Sequence, residues 1–339
     1  MFMHLDFKKY IFLFVVLVNF SFSYGQIGGA NTFEFLNLTT SPKTIALGGY
    51  ALSVIDNDVN NGIYNPATIN SSMNSNIVLN YTNYYSDIMY GNVGYSFELL
   101  DYQFITSVKF IDYGTFIETN EFGQDIGSFG AGEYLFSIGS SKSILDSLCY
   151  IGMNAKVAYS SLYEINSLAG LIDLGVVYNF RNQNLAASIV LKNLGYQIVP
   201  YYANNRESLP FEIAVGFSSK LAYMPLRWHL TLQHVETPDL IFDNVQHSEQ
   251  VNNNIGYGIL RHIVFGGEFL LHKNVNLLFG YNNRKRFEMI IEDRKGLVGF
   301  SCGVLLKINR FSIMYSRASY HLSGPVNSFG ISTNLKKID

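Results

Sequence analysis

From residue 76 onward the chain repeats one pattern: apolar residues at every second position. In "FEIAVGF" (211–217), Phe211, Ile213, Val215 and Phe217 share one face, and Glu212, Ala214 and Gly216 share the other. In "IDLGVVYNF" (172–180), Ile172, Leu174, Val176, Tyr178 and Phe180 alternate with Asp173, Gly175 and Asn179. Successive side chains of a strand point to opposite faces, so each segment has one apolar face and one polar or small face. The pattern predicts fourteen strands of about nine to thirteen residues, near the ~9–11 that a tilted membrane strand needs. They span 76–84, 90–99, 102–111, 132–141, 149–160, 169–180, 185–194, 209–221, 226–236, 262–271, 274–284, 296–308, 310–319 and 327–335.

The connections narrow the choice further. Those after even-numbered strands are short, as at Leu100-Asp101 and His272-Lys273. Most of those after odd-numbered strands are longer: 112–131, 161–168, 195–208, 237–261, 285–295 and 320–326. Short turns at one end and long loops at the other are the asymmetry of an outer-membrane barrel. A secreted β-sandwich or propeller would need a charged outer face. Only 14% of this chain is charged, about half the usual share, while Tyr (24) and Phe (26) are abundant. A closed barrel also pairs every backbone group within the bilayer, which an open sheet does not. The expected fold is all-β: a 14-stranded antiparallel transmembrane outer-membrane β-barrel with an N-terminal plug. The formal net charge of −3 supplies no basic footprint for nucleic acid.

Residues 1–25 read as a signal peptide. Lys8 and Lys9 precede the apolar run "YIFLFVVLVNF" (10–20), which is too short to span a bilayer. Ser23 and Gly25 are spaced for cleavage before Gln26. Residues 26–75 lack the alternation, and 76–339 form the barrel. Within the first of these, Gly48-Gly49 permits a tight bend or close backbone approach, and Pro66 fixes its own φ. Asp56, Asp58 and Asn65 can satisfy backbone groups locally. Ile45, Leu47, Leu52, Val54, Ile63 and Tyr64 supply apolar anchors. An irregular polar segment of this kind suits the wet interior of a barrel; the bland reading is a flexible periplasmic leader.

No catalytic or metal constellation stands out, so the chain is expected to be no enzyme and to carry no cofactor. His229 and His234 are five apart and face opposite sides of a regular strand. "GAG" (130–132) lacks the strand–turn–helix setting of a nucleotide loop and reads as loop glycine. Asp173 and Glu212 fall on polar strand faces and should point into the lumen. Cys149 and Cys302 read as small hydrophobes rather than as a disulfide. The densest charge run, "NRKRFEMIIEDRKG" (283–296), is a solvated hairpin tip or a docking surface for a protein or for lipopolysaccharide phosphates.

"ALGG", "DND" and "YNPA", within residues 46–67, resemble the N-terminal signature of the fatty-acid-transporter-type outer-membrane barrels. The stretches "FLNLTTSPKTIALGGYALSVIDND" (35–58), "DYGTFIETNEFGQDIGSFGAGEY" (112–134), "GMNAKVAYSSLYEINSLAGLIDLGVVYNF" (152–180) and "LPFEIAVGFSSKLAYMPLRWHLTLQHVETPDL" (209–240) are similar to its PorV/PorQ branch. That branch consists of outer-membrane proteins of the type IX secretion system of Bacteroidetes-like bacteria. The resemblance implies a role in holding a surface partner, PorZ, within an attachment complex. That complex includes the PorU sortase and PorV and links cargo to outer-membrane lipopolysaccharide. The residues suggest where docking would occur: Tyr201, Tyr202, Phe242, Arg284, Arg286 and Phe287 lie in or beside long loops, and aromatics and Arg dominate interfaces. The rival expectation is a transporter for hydrophobic small molecules such as fatty acids, with a lateral exit at Gly266-Gly267. An open general pore is the third.

Overall fold

The structure, a computed structural model, describes residues 31–86, 88–145, 147–180, 184–203, 205–237, 255–289, 296–321 and 324–336. Fourteen antiparallel strands pair with their sequence neighbours all the way round. They are β1 (Asn76–Asn83), β2 (Met89–Leu99), β3 (Tyr102–Thr119), β4 (Asp125–Ile144), β5 (Cys149–Leu162), β6 (Ile165–Phe180), β7 (Leu185–Val199), β8 (Glu212–Lys220), β9 (Leu226–Leu232), β10 (Ile263–His272), β11 (Val275–Asn282), β12 (Phe300–Ile308), β13 (Phe311–His321) and β14 (Gly324–Asn334). The ring closes where β1 pairs with β14, from Asn76↔Asn334 to Asn83↔Asn327. Closure leaves the ring itself without an edge.

Burial is inverted relative to a water-soluble protein. On β6, Ile172, Leu174, Val176 and Tyr178 are exposed while Asp173 is 1% exposed. Asn80, Asn92, Asn154, Glu212, Glu268 and Asn282 are likewise buried inside, and Leu79, Val93, Ile138, Phe265 and Phe329 face out. Apolar side chains outside and polar ones inside require an apolar solvent around the ring, as a bilayer provides.

The strands match the alternating segments, and the wall is taller than they implied. β3 runs 18 residues and β4 runs 20. The expected loop 112–131 is mostly a β-hairpin, and Ala131 and Gly132 of "GAG" pair within β4 rather than lying in a loop. The expected loops 161–168 and 320–326 also shrink, because β5, β6, β13 and β14 extend into them. These extensions carry Thr, Ser, Gly and Glu, which show no apolar alternation. Beyond the lipid a ladder needs no apolar face, so the signal stops before the strand does. The turn at Leu100-Asp101 is tight, with φ of 51° and 63°, the left-handed pair of a two-residue hairpin. Two helices lie in the remaining connections, α3 (Ile255–His262) and α4 (Asn283–Met289), labelled after two short ones near the N-terminus. Cys149 and Cys302 are both free thiols.

Candidate functional site

The segment 31–75 packs against inward-facing residues of the ring. At one end, Thr32 N–H donates to Ser208 O, and Phe33 stacks on Tyr201 at 6.2 Å. Phe33 and Phe35 pack with Tyr90, Ile111, Leu135 and Leu171 of the wall. The chain then forms α1 (Pro42–Ala46) and α2 (Val59–Tyr64) before entering β1. Ser41 caps α1 by accepting from Thr44 N, with Pro42 in the first helical position. α1 ends on Gly48 and Gly49, with φ of 89° and 104°.

The wall is shaped to this segment. Glycines face it at several strands, and a Cβ added to one would strike its backbone or the Asn65 side chain. From Gly280 the nearest atoms would be Gly48 N and Leu47 C; from Gly152, Pro66 C and O; from Gly175, Asn65 Oδ1. Wall side chains also take up its backbone groups. Asn282 Nδ2 donates to Gly48 O and Ser301 Oγ to Ala46 O, each at 3.0 Å. Asn154 Nδ2 donates to Ile63 O at 3.2 Å, and Ser141 Oγ donates to Ile69 O. Buried polar groups need such partners, which explains the polar inner wall.

The motif residues act chiefly within this fit. Asp58 caps α2, accepting from Asn60 N at 3.0 Å. Asp56 accepts from Asp58 N and Asn61 Nδ2. Lys43 joins them, 2.8 Å from Asp56 and 3.5 Å from Asp58. Burial works to raise the Asp56 pKa, but Lys43 outweighs it and holds the carboxyl below its usual range. Asp58 is raised by burial and by Asp56 beside it, with Lys43 only partly offsetting this. Asn65 Nδ2 donates to Leu52 O at 2.6 Å, and its Oδ1 accepts from Ala67 N over Pro66. "DND" and "YNPA" are thus a cap, an ion-pair node and a turn.

A second polar network crosses the wall around a cavity lined by Thr40, Tyr50, Tyr64, Leu135, Lys156 and Lys192 among others. Asp173 and Glu212 face inward, as their strand parity predicts. Lys156 lies 2.5 Å from Asp173, and Lys192 lies 3.1 Å from Glu212. Tyr50 O–H donates to Glu212 at 2.7 Å, tying the N-terminal segment to β8. A bulge in β7 at residues 192–193, where Asn193 has φ of 59°, sets two residues against Asp173. Lys109 Nζ donates to Leu36 O and Leu38 O. Sequence reasoning singled out the two acids and missed Lys43, Tyr50, Lys109, Lys156 and Lys192. For Lys109, Lys156 and Lys192 the available signal was strand parity, since a lysine on the polar face of a membrane strand points to the lumen; Lys43 and Tyr50 lie on no strand and carried no such signal.

Of the docking candidates, Arg284, Arg286 and Phe287 sit together on α4, and Tyr201 and Tyr202 lie between β7 and β8. Tyr201 is half-buried against Phe33, so it is part of the interior fit rather than a free anchor. Tyr202 is exposed. Arg284 pairs with Glu288 at 2.6 Å, and Arg286 donates to Gly296 O and Val298 O. Phe287 lies under Arg261 at 5.2 Å. Phe242 lies outside the described residues. The charge run begins as α4 rather than as a hairpin tip, and 290–295 lie outside the described residues. Of the proposed exit glycines, Gly266 backs onto Leu47 and Gly267 is covered by the Phe279 ring. Among the described residues no group of His, Cys, Asp and Glu is placed to hold a metal ion.

No family model matches the chain, and no curated protein does. Among solved structures it is similar to the Ralstonia pickettii toluene transporter TbuX (11% identical, TM-score 0.51), covering 89% of this chain and 100% of that one. It is equally similar to a deltaS2 mutant of the TodX monoaromatic hydrocarbon channel (12%, TM-score 0.51, covering 89% and 100%). A Pseudomonas aeruginosa FadL homologue follows at 10% identity and a TM-score of 0.48, covering 88% and 98%. At such identities the likeness is one of fold: this chain is a closed 14-stranded barrel built like outer-membrane transport channels.

Proposed function

We propose that this chain is a non-enzymatic outer-membrane component of the type IX secretion system that anchors a surface partner of the PorZ kind, its N-terminal segment acting as a resident plug. The observation that supports this reading is the close fit of the N-terminal segment to the inner wall. Glycine-for-backbone fit and wall-to-segment hydrogen bonds hold residues 41–70 on several sides. A barrel so packed is suited to present its rim rather than to conduct. The sequence resemblance to the PorV/PorQ branch, in residues 35–58 and 209–240 above all, supplies the identity of the system.

A second reading is a transporter for hydrophobic small molecules, and the structural comparisons favour it over the first. TbuX and TodX are described as a toluene transporter and a monoaromatic hydrocarbon channel. The cavity beside Tyr50 supports it, since Leu36, Leu38, Leu52, Ile63 and Leu135 line it alongside the lysines. One isolation separates the two. The tagged protein is taken from native outer membranes in mild detergent, and both co-purifying proteins and extracted small molecules are identified. A sortase-like protease and a large surface protein support the secretion role. A stoichiometric apolar molecule without those proteins overturns it in favour of transport.

A further inference from the structure

The β3–β4 hairpin rises beyond its neighbours. β2 pairs with β3 only as far as Asp112, and β4 pairs with β5 only from Ala131. Between them, residues 113–130 pair with each other alone among the described residues. About seven residues of each strand therefore stand clear, roughly 23 Å at 3.3 Å per residue. Among the described residues neither outer edge of this ribbon pairs with another strand, the liability that natural proteins usually cover.

The tip is ordered. Asn120 N–H donates to Gln124 O and Gly123 N–H to Asn120 O. Asn120 Oδ1 accepts from Phe122 N and Gln124 N. This turn holds Phe122 outward at 80% exposure. On the face continuing the inner wall Phe116 stacks on Phe129 at 5.3 Å, and the β5–β6 turn reaches it there: Tyr163 meets Phe129 at 4.5 Å and its hydroxyl donates to Glu118 at 2.8 Å. The opposite face exposes Ile117 and Ile126. From Asp112 to Glu133 there is no Lys or Arg, while Glu118, Glu121 and Asp125 cluster toward the tip.

We propose that this hairpin is a docking edge for an extended, basic and partly apolar segment of another protein, which adds to the ribbon as a further strand and covers Phe122. Strand addition satisfies the unpaired backbone groups, and the exposed Ile117 and Ile126 offer contacts to alternate side chains of the added strand. The acidic tip selects the charge of the occupant. It also disfavours lipopolysaccharide phosphates, which carry the same sign as the tip. This inference rests on the secretion reading for where the occupant comes from, and on the hairpin alone for its chemistry.

The test is site-specific photo-crosslinking in native outer membranes, with the crosslinker at Ile117, Phe122 or Ile126, and at Met224 on the opposite rim as control. Barrel folding is checked by heat-modifiable migration. The expected result is a crosslink from the hairpin positions, absent at Met224, to one protein segment with net positive charge and alternating apolar residues. Glu121→Lys with Asp125→Lys should cut the yield about tenfold, and raising salt from about 0.05 to 0.5 M should weaken it similarly. Crosslinks to lipid alone, to an acidic segment, or with yields unchanged by charge reversal overturn the proposal. A basic segment from a protein outside secretion keeps the docking edge and removes the secretion reading. Secretion proteins that crosslink at Tyr202 but not at the hairpin do the reverse.

Discussion

Replacing Gly280 with alanine puts a methyl group into the backbone of the N-terminal segment. The added Cβ would stand 2.1 Å from Gly48 N, 2.3 Å from Leu47 C and 2.7 Å from Ala46 O, where ordinary contact begins at 3.4 Å. All three atoms are main chain, so no rotamer change relieves the clash. Either β11 or residues 46–48 must move by about an ångström. Overpacking of this kind costs about 1–3 kcal/mol. The same shift stretches the 3.0 Å bonds from Asn282 to Gly48 O and from Ser301 to Ala46 O, at about 1 kcal/mol each. The expected loss is about 3–5 kcal/mol. Gly130→Ala is the control: its Cβ meets nothing nearer than Gly114 O at 4.0 Å, and its effect should stay within about 0.5 kcal/mol.

The assay is urea unfolding of the barrel in lipid vesicles, followed by fluorescence of Trp228, the sole tryptophan. Conductance of the same preparations in planar bilayers is the second readout. Wild type and Gly130→Ala should conduct little, and Gly280→Ala should show higher or flickering conductance if residues 46–48 leave the wall. Equal stability for all three proteins, with equal conductance, would refute the claim that the wall is fitted to the segment. It would leave the segment loosely lodged.

Three further outcomes test the interior. Lys43→Met leaves Asp56 and Asp58 without their cation and should cost about 3–5 kcal/mol; Lys43→Met with Asp56→Asn should recover part of it, as urea titration would show. Lys285 on α4 sits with its Nζ 3.5 Å from the centre of the Tyr320 ring, and burial with Arg284 nearby lowers its pKa from 10.5 to about 7. The unfolded chain then holds more protons than the folded one between those values, so stability should rise from pH 7 toward 10. Lys285→Met should flatten that rise, and unfolding midpoints at pH 6, 8 and 9 would read it. Asn31→Cys, in a background lacking Cys149 and Cys302, should react with an impermeant maleimide on intact cells, since residues 31–33 meet Tyr201 and Ser208 on the long-loop side. Labelling only after the outer membrane is broken would reverse that orientation.

The barrel was legible because lipid imposes a rule that the sequence must print. Most outward positions on a spanning strand are apolar, so Ile172, Leu174 and Val176 announce their face. The interior imposes no such uniform rule. Gly152, Gly175 and Gly280 read as gaps in a pattern, and only the fold shows that each gap is filled by residues 65–67 or 46–48. Tyr50 and Glu212 are 162 residues apart, and no local spacing could join them. The hairpin escaped for the opposite reason. Past the lipid neither a core nor a bilayer demands alternation, so residues 113–130 form a ladder through backbone pairing alone. The same freedom gives the hairpin its interest. Within the membrane, composition is spent on solubility in lipid and on the fit to residues 31–75. Only beyond it can Phe122, Glu121 and Asp125 be set by what they meet, which is why the proposed docking edge lies at that rim rather than in the lumen.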